Sequence, residues 1–246
     1  LSGPGHHILY RRAMWGRVAS ALELEKDIDY EGLINTLIDR FYNPIFPLEV
    51  ESGPCKENIV TGDDVDLRKF PFPFLHKGDG DCYITGGVLV VKDPDSKWHN
   101  WGVYRCMISG KDEMVADFLT KPSVSNDTRL IYQKYMEAKK PMPFALVLGG
   151  PPAIMIAAAA STPEGYSEVD YAGGLNLDPI SLVKAETVDM FVPADAEMVI
   201  EGEVVLGDMA AEGHYGSICG YTKICERPRM KVKAITHRND PIFRGA

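Results

Sequence analysis

Two runs of β-branched and aromatic residues, Ile84 to Lys92 and Gly102 to Ile108, lie on either side of Asp93-Pro94-Asp95-Ser96. Asp, Ser and Pro each favour tight bends, so the whole reads as an antiparallel hairpin. Further strands are predicted at Glu197 to Leu206 and Met230 to His237. In the latter, Met230, Val232 and Ala234 alternate with Lys231 and Lys233. Helices are predicted from Tyr10 to Glu25 and through Leu33, Ile34, Leu37, Ile38 and Phe41, the second ending before Pro44. Asn126-Asp127-Thr128 caps another over Arg129 to Lys139, and Pro151-Pro152 opens the Ala-rich segment 153–160. Ile180 to Glu186 reads as one more short helix, and Val50 to Phe74, with its prolines, as loop. Strands and helices do not alternate regularly. The fold class is therefore α+β and mostly antiparallel, with a barrel as its closed form.

The chain has 246 residues, 45% hydrophobic and 25% charged, enough for a sizeable core. A helical segment at 1–50 and a larger domain at 51–246 are the expected divisions. The net charge of −9 argues against a nucleic-acid partner and against an anionic membrane surface. It leaves room for a small anion, because one buried arginine outweighs a distant surface field. Five cysteines, odd in number and without a CxxC pair, point to reduced thiols and a cytoplasmic setting. No apolar run approaches the roughly 20 residues of a membrane span, and no signal peptide is visible.

Three polar clusters are candidates for chemistry. Arg105 lies among Tyr104, Cys106, Met107 and Ile108. It is either a guanidinium fork for a carboxylate or an edge-strand arginine facing water. Glu212-Gly213-His214-Tyr215-Gly216-Ser217 offers two groups for proton transfer, Glu212 and His214, or is simply a surface turn. Glu168, beside the Ala-rich segment, is a hard-cation ligand by type. Glu197, Glu201 and Glu203 share one strand face, a pattern more common on solvated faces. GxGxxG is absent.

Taken in order, short motifs resemble UbiD-type decarboxylases, the ferulic acid decarboxylase branch in particular. They are Gly53-Pro54-Cys55-Lys56-Glu57-Asn58, Asp66-Leu67, Phe70-Pro71-Phe72-Pro73 and Leu75-His76-Lys77. Trp98-His99-Asn100-Trp101 with Arg105 follows, then Pro193-Ala194-Asp195-Ala196-Glu197 with Ile200-Glu201-Gly202. Glu212-Gly213 with Gly216 and Gly220-Tyr221, and Ile235-Thr236-His237-Arg238-Asn239-Asp240, complete the run. The resemblance implies a split β-barrel of the flavin reductase-like type with flanking helices. It also implies prenylated FMN as cofactor, made by a flavin prenyltransferase, with a divalent metal (Mn or Mg) and room for K. Asn100 and Glu168 would be metal ligands. Asn100, Trp101, Gly102, Val103, Tyr104, Arg105, Ala159, Ala160, Ser161 and Glu168 would line the cofactor. Arg105 would grip the substrate carboxylate, and Glu212 would be the first catalytic glutamate.

Two positions depart from the pattern. The second glutamate of the family, five residues after the first, is Ser217 here, and a serine hydroxyl is a poor acid. No histidine follows Lys121-Pro122, where the family has a metal ligand. The leading expectation is a carboxy-lyase (a non-oxidative decarboxylase or reversible carboxylase) acting on an aromatic or α,β-unsaturated acid. His214 or water would then supply the proton that Ser217 cannot. The alternatives are an impaired subunit assembling with an active partner, and a flavin reductase. The family's C-terminal domain is not seen after residue 246, so a homo-oligomer or a partner subunit carrying that domain is expected.

Overall fold

The structure, a computed structural model, describes residues 15–119, 126–160 and 162–243. Strands dominate between Leu48 and His237: β1 (Leu48–Val50), β2 (Asn58–Thr61), β3 (Tyr83–Ile84), β4 (Gly87–Lys92), β5 (His99–Val103), β6 (Cys106–Ile108) and β7 (Glu113–Ala116). They continue with β8 (Met142–Leu148), β9 (Ser181–Lys184), β10 (Phe191–Pro193), β11 (Met198–Glu212), β12 (Gly216–Ser217), β13 (Gly220–Tyr221) and β14 (Cys225–His237). Nine of them make one curled sheet in the order β3-β6-β7-β14-β11-β8-β4-β5, with β2 also on β14. Its pairings are antiparallel, as expected for a mixed α+β chain without βαβ alternation.

The central strands are buried on both faces, and their period-two alternation sorts them into two cores. Leu89 and Val91 of β4 join Phe144, Leu146, Ile200 and Met230 on one side, with Phe118, Ile131 and Tyr132. Val88 and Val90 point the other way, onto Val147, Val199, Ala153, Ile154, Ala172 and Leu175. Each fully buried Val, Leu or Phe contributes about 1.5–3 kcal/mol. The strand β4 is therefore gripped from both faces, and its hairpin with β5 is held in register.

That hairpin forms as expected, but its second arm is β5, paired from Lys92↔His99 to Val88↔Val103. The strand expected at Gly102 to Ile108 is broken at Tyr104-Arg105. After the break, β6 pairs with β3 and β7 at the other end of the sheet path. The expected helix at Ile180 to Glu186 is instead β9, parallel to β1 and antiparallel to β10. Buried Leu182 and Val183 read equally well as either element over so short a run, and partner strands decided it.

The helix Tyr30–Phe41 matches expectation; the first helix, at 15–21, stops short of the expected Glu25, and its residues 10–14 lie outside the described ones. Asp127–Glu137 begins at an Asn126 cap whose side chain accepts from the Arg129 amide at 3.0 Å. Pro152–Ala158 has its proline in the first turn. A further helix, Glu168–Asn176, was not expected, because Gly173 and Gly174 weaken its pattern. Those glycines admit close backbone: a Cβ would meet Ile45 O at 2.1 Å on Gly173 and Arg40 O at 2.4 Å on Gly174. No helix among the described residues is long and apolar enough to cross a membrane.

Candidate active site

The break after β5 is what turns Arg105 into a site residue. Released from the ladder, its guanidinium reaches Glu212 at the end of β11. Nε donates to Oε1 at 2.8 Å and Nη2 to Oε2 at 2.9 Å, a two-point charged pair. Glu212 is fully buried, and the Tyr83 hydroxyl donates to its Oε1 at 3.2 Å. Burial, then the adjacent Glu212 charge, pushes the Tyr83 phenol well above its usual range, so it remains a donor. The hydrogen bond to Glu212 likewise raises Arg105. The Tyr215 ring covers the guanidinium, with Cζ 5.3 Å from its centroid.

Glu212 is placed by a tight junction of loops. Gly213 has φ +107°, and Gly80 approaches so closely that a Cβ on it would lie 2.2 Å from Gly213 O. Asp79 holds the far side, accepting from the His76 and Gly216 amides at 2.8 and 2.7 Å. The hairpin β12–β13 takes the other two expected catalytic residues. The His214 imidazole lies on Thr222 O, with Nδ1 at 2.7 Å, and Ser217 Oγ donates to Gly220 O at 2.9 Å. Both residues are exposed, and the structure does not bring either side chain to Arg105 or Glu212.

A second polar cluster lies at the other end of β5. Asn100 Nδ2 donates to buried Thr128 Oγ1 at 2.8 Å. Glu168 Oε2 accepts from the Trp101 amide at 2.7 Å, and Oε1 from Thr162 Oγ1 at 2.7 Å. Glu168 has no cationic partner among the described residues, and burial pushes its carboxyl up to about 7. The Tyr104 hydroxyl donates to Asn126 Oδ1 at 3.0 Å. Gly102 and Val103 run between the two clusters on β5, while Ala159 and Ala160 follow the helix Pro152–Ala158. Ser161 and the Lys121-Pro122 segment lie outside the described residues. Among the described residues, no three His, Cys, Asp or Glu side chains are grouped to hold a metal.

Sequence reasoning missed Asp117 and Tyr83. Asp117 Oδ2 lies 2.7 Å from Arg105 Nη2, and its Oδ1 accepts from Arg227 Nε at 2.6 Å. Neither residue belongs to a motif that a single sequence displays. Glu201, read on a solvated face, is fully buried and accepts from the Glu186 and Thr187 amides at 3.0 and 2.8 Å.

The comparisons with known proteins point to one family. The model of the UbiD family, described as 3-octaprenyl-4-hydroxybenzoate carboxy-lyase Rift-related domain, matches residues 48–246. Pyrrole-2-carboxylic acid decarboxylase of Pseudomonas aeruginosa is 37% identical over 81% of this chain and 40% of its own length. Ferulic acid decarboxylase 1 of Saccharomyces cerevisiae is 34% identical over 93% of this chain and 46% of its own. Among solved structures, an evolved dimeric form of the UbiD-class enzyme HmfF from Pelotomaculum thermopropionicum, in complex with prFMN, superposes with TM-score 0.84. It is 34% identical and covers 93% of this chain and 52% of that one. Vanillic acid decarboxylase of Sedimentibacter hydroxybenzoicus gives TM-score 0.86 at 27% identity, over 93% of this chain and 49% of that one. The chain thus spans about half the length of these relatives. With the family model matched over most of its length and the sheet shared with UbiD-class structures, the chain belongs to the UbiD family.

Proposed function

We propose that this chain is the cofactor-binding part of a carboxy-lyase that removes, or reversibly adds, the carboxyl group of an aromatic or α,β-unsaturated acid. The observation that carries this reading is the two-point pair of part-buried Arg105 with fully buried Glu212 in a UbiD-family chain. An arginine fork recognises carboxylates by shape and charge. Glu212 occupies Nε and one face of Nη2, so the Nη1 side of the guanidinium is the edge offered to a substrate carboxylate. Tyr215 packs over one face of the guanidinium. Glu212, held by Arg105 through both oxygens, is the carboxylate that would take and hand on a proton.

Prenylated FMN, when bound, supplies the electron sink for the bond to the departing carboxyl group. The donor set suits its metal-bridged phosphate in one respect: Glu168 is a buried carboxylate without a cationic partner, next to Asn100 on β5. Those two residues would hold the divalent metal. We read the curled sheet as the split barrel related to flavin reductases, with residues 100–105 and 159–160 beside the flavin. A flavin prenyltransferase would supply the cofactor.

Native mass spectrometry of the protein produced beside a flavin prenyltransferase tests the reading. A bound mass of prenylated FMN plus a divalent metal, with CO₂ released from an aromatic acid, is the expected result. Empty protein from cells shown to contain the cofactor would contradict it. A second reading, an impaired subunit with an active partner, is favoured by Ser217 lying exposed on its hairpin. It predicts that a stoichiometric homologous partner is recovered by pull-down from native cells. Replacing His214 with Phe tests the imidazole as proton source; unchanged turnover removes it.

A further inference from the structure

Arg105 carries a second carboxylate. Asp117, just past β7, places Oδ2 2.7 Å from Arg105 Nη2, and its backbone amide donates to Arg105 O at 3.3 Å. Its other oxygen accepts from Arg227 Nε at 2.6 Å, and Arg227 is fixed in turn on β14 opposite Ala210. Asp117 is nine-tenths buried at its side chain, and Glu212 almost wholly so. The four groups therefore form a row of alternating charge: Glu212, Arg105, Asp117, Arg227. Glu212 takes the Nε–Nη2 edge of the guanidinium. Asp117 Oδ2 lies on that same Nη2, so this nitrogen faces two carboxylates. Ser217, where the resemblance expects a second glutamate, has its hydroxyl on Gly220 O instead.

We infer that Asp117 is the positioning residue of this site: it sets the plane of Arg105 between two carboxylates and tempers the guanidinium's hold on an incoming acid. This rests on the decarboxylase reading only for its effect on turnover. The two roles of Asp117 pull measurable quantities in opposite directions. Its negative charge, on the same guanidinium, repels a carboxylate ligand that Arg105 would grip. Its two anchored oxygens hold the fork where the reaction needs it. Replacing Asp117 with Asn keeps the volume and one acceptor but removes the charge and one arginine contact.

The test compares wild type, Asp117→Asn and Asp117→Glu in the cofactor-loaded full chain. Cinnamate is the probe, with its Kd read by calorimetry and its turnover by CO₂ release. Asp117→Asn is expected to bind cinnamate about three- to tenfold more tightly, because a like charge is gone. It should turn the acid over at least about tenfold more slowly, because the fork is misplaced. Asp117→Glu should return Kd to within about twofold of wild type, since charge on this side of the fork is restored. Unchanged Kd and kcat would overturn the inference. So would Kd and kcat worsening together with a lowered melting temperature, since that marks a purely structural ion pair. If wild type binds cinnamate but releases no CO₂, the decarboxylase reading fails. Asp117 is then judged on Kd alone, with tightening in Asp117→Asn supporting it and no tightening overturning it. Failure of wild type to bind cinnamate overturns both.

Discussion

Glu168 and Glu212 are both buried glutamates, yet their surroundings oppose each other. Glu212 has an arginine fork, whereas Glu168 has one amide and one hydroxyl. The raised carboxyl of Glu168 means that the folded state binds its proton more tightly than the unfolded chain does. Stability from this group is therefore full below about pH 4.5 and declines as pH rises through about 7. The loss is at most about 3.5 kcal/mol, at roughly 1.4 kcal/mol per unit. Glu168→Gln should remove this slope, so that urea unfolding between pH 4.5 and 8 shows the variant gaining on wild type toward high pH. Parallel curves would refute the assignment. For Glu212→Gln the expectation is a destabilisation of about 2 kcal/mol, since Arg105 loses a charged partner. Turnover should fall at least about a hundredfold, measured as CO₂ release; a variant near wild-type rate would remove Glu212 from the chemistry. Both glutamates were visible as candidates in the sequence. Their opposite states were not, because burial and partners come from residues 67 and 107 positions away.

At the level of elements, the decisive event is the interruption between β5 and β6. An unbroken strand would have left Arg105 in a ladder, one face or the other. The interruption frees it toward β11, and the loop at Gly80 presses Glu212-Gly213 into place from the other side. Gly80→Ala is expected to displace that segment, because a Cβ there meets Gly213 O at 2.2 Å. Turnover and melting temperature should then both fall; unchanged turnover would show that the junction tolerates movement. Glu201 plays a structural part, pinning the turn after β9 through the Glu186 and Thr187 amides. Glu201→Ala removes the acceptor of both amides and should cost about 1–3 kcal/mol in urea unfolding. The hairpin β4–β5 and the Asn126 cap were legible because their signals are local. β9 and the helix Glu168–Asn176 were not, because a partner strand decided the first and close-packed glycines obscured the second.

Across the whole molecule, β5 joins the two polar clusters, with five residue steps from Asn100 to Arg105, at most roughly 16 Å of chain. A flavin phosphate held through metal at one end and a carboxylic acid at the other would span that strand. FMN and Mn²⁺ together, each at about a hundred times its Kd, are accordingly expected to raise unfolding free energy by at least about 2.7 kcal/mol. The gain should vanish in Glu168→Gln when followed by thermal melting; a gain kept by that variant would place the metal elsewhere. The sequence by itself determined the fold class, the hairpin, most helices and the family. These follow from local turn chemistry, from hydrophobic period and from motifs in fixed order, all of which a linear chain carries. Only the tertiary structure decided which carboxylate meets which arginine, that Asp117 and Tyr83 belong to the site, and that the His214 and Ser217 side chains stay on their hairpin. An ion pair depends on direction and distance in space, and those are set where strands distant in sequence are brought side by side.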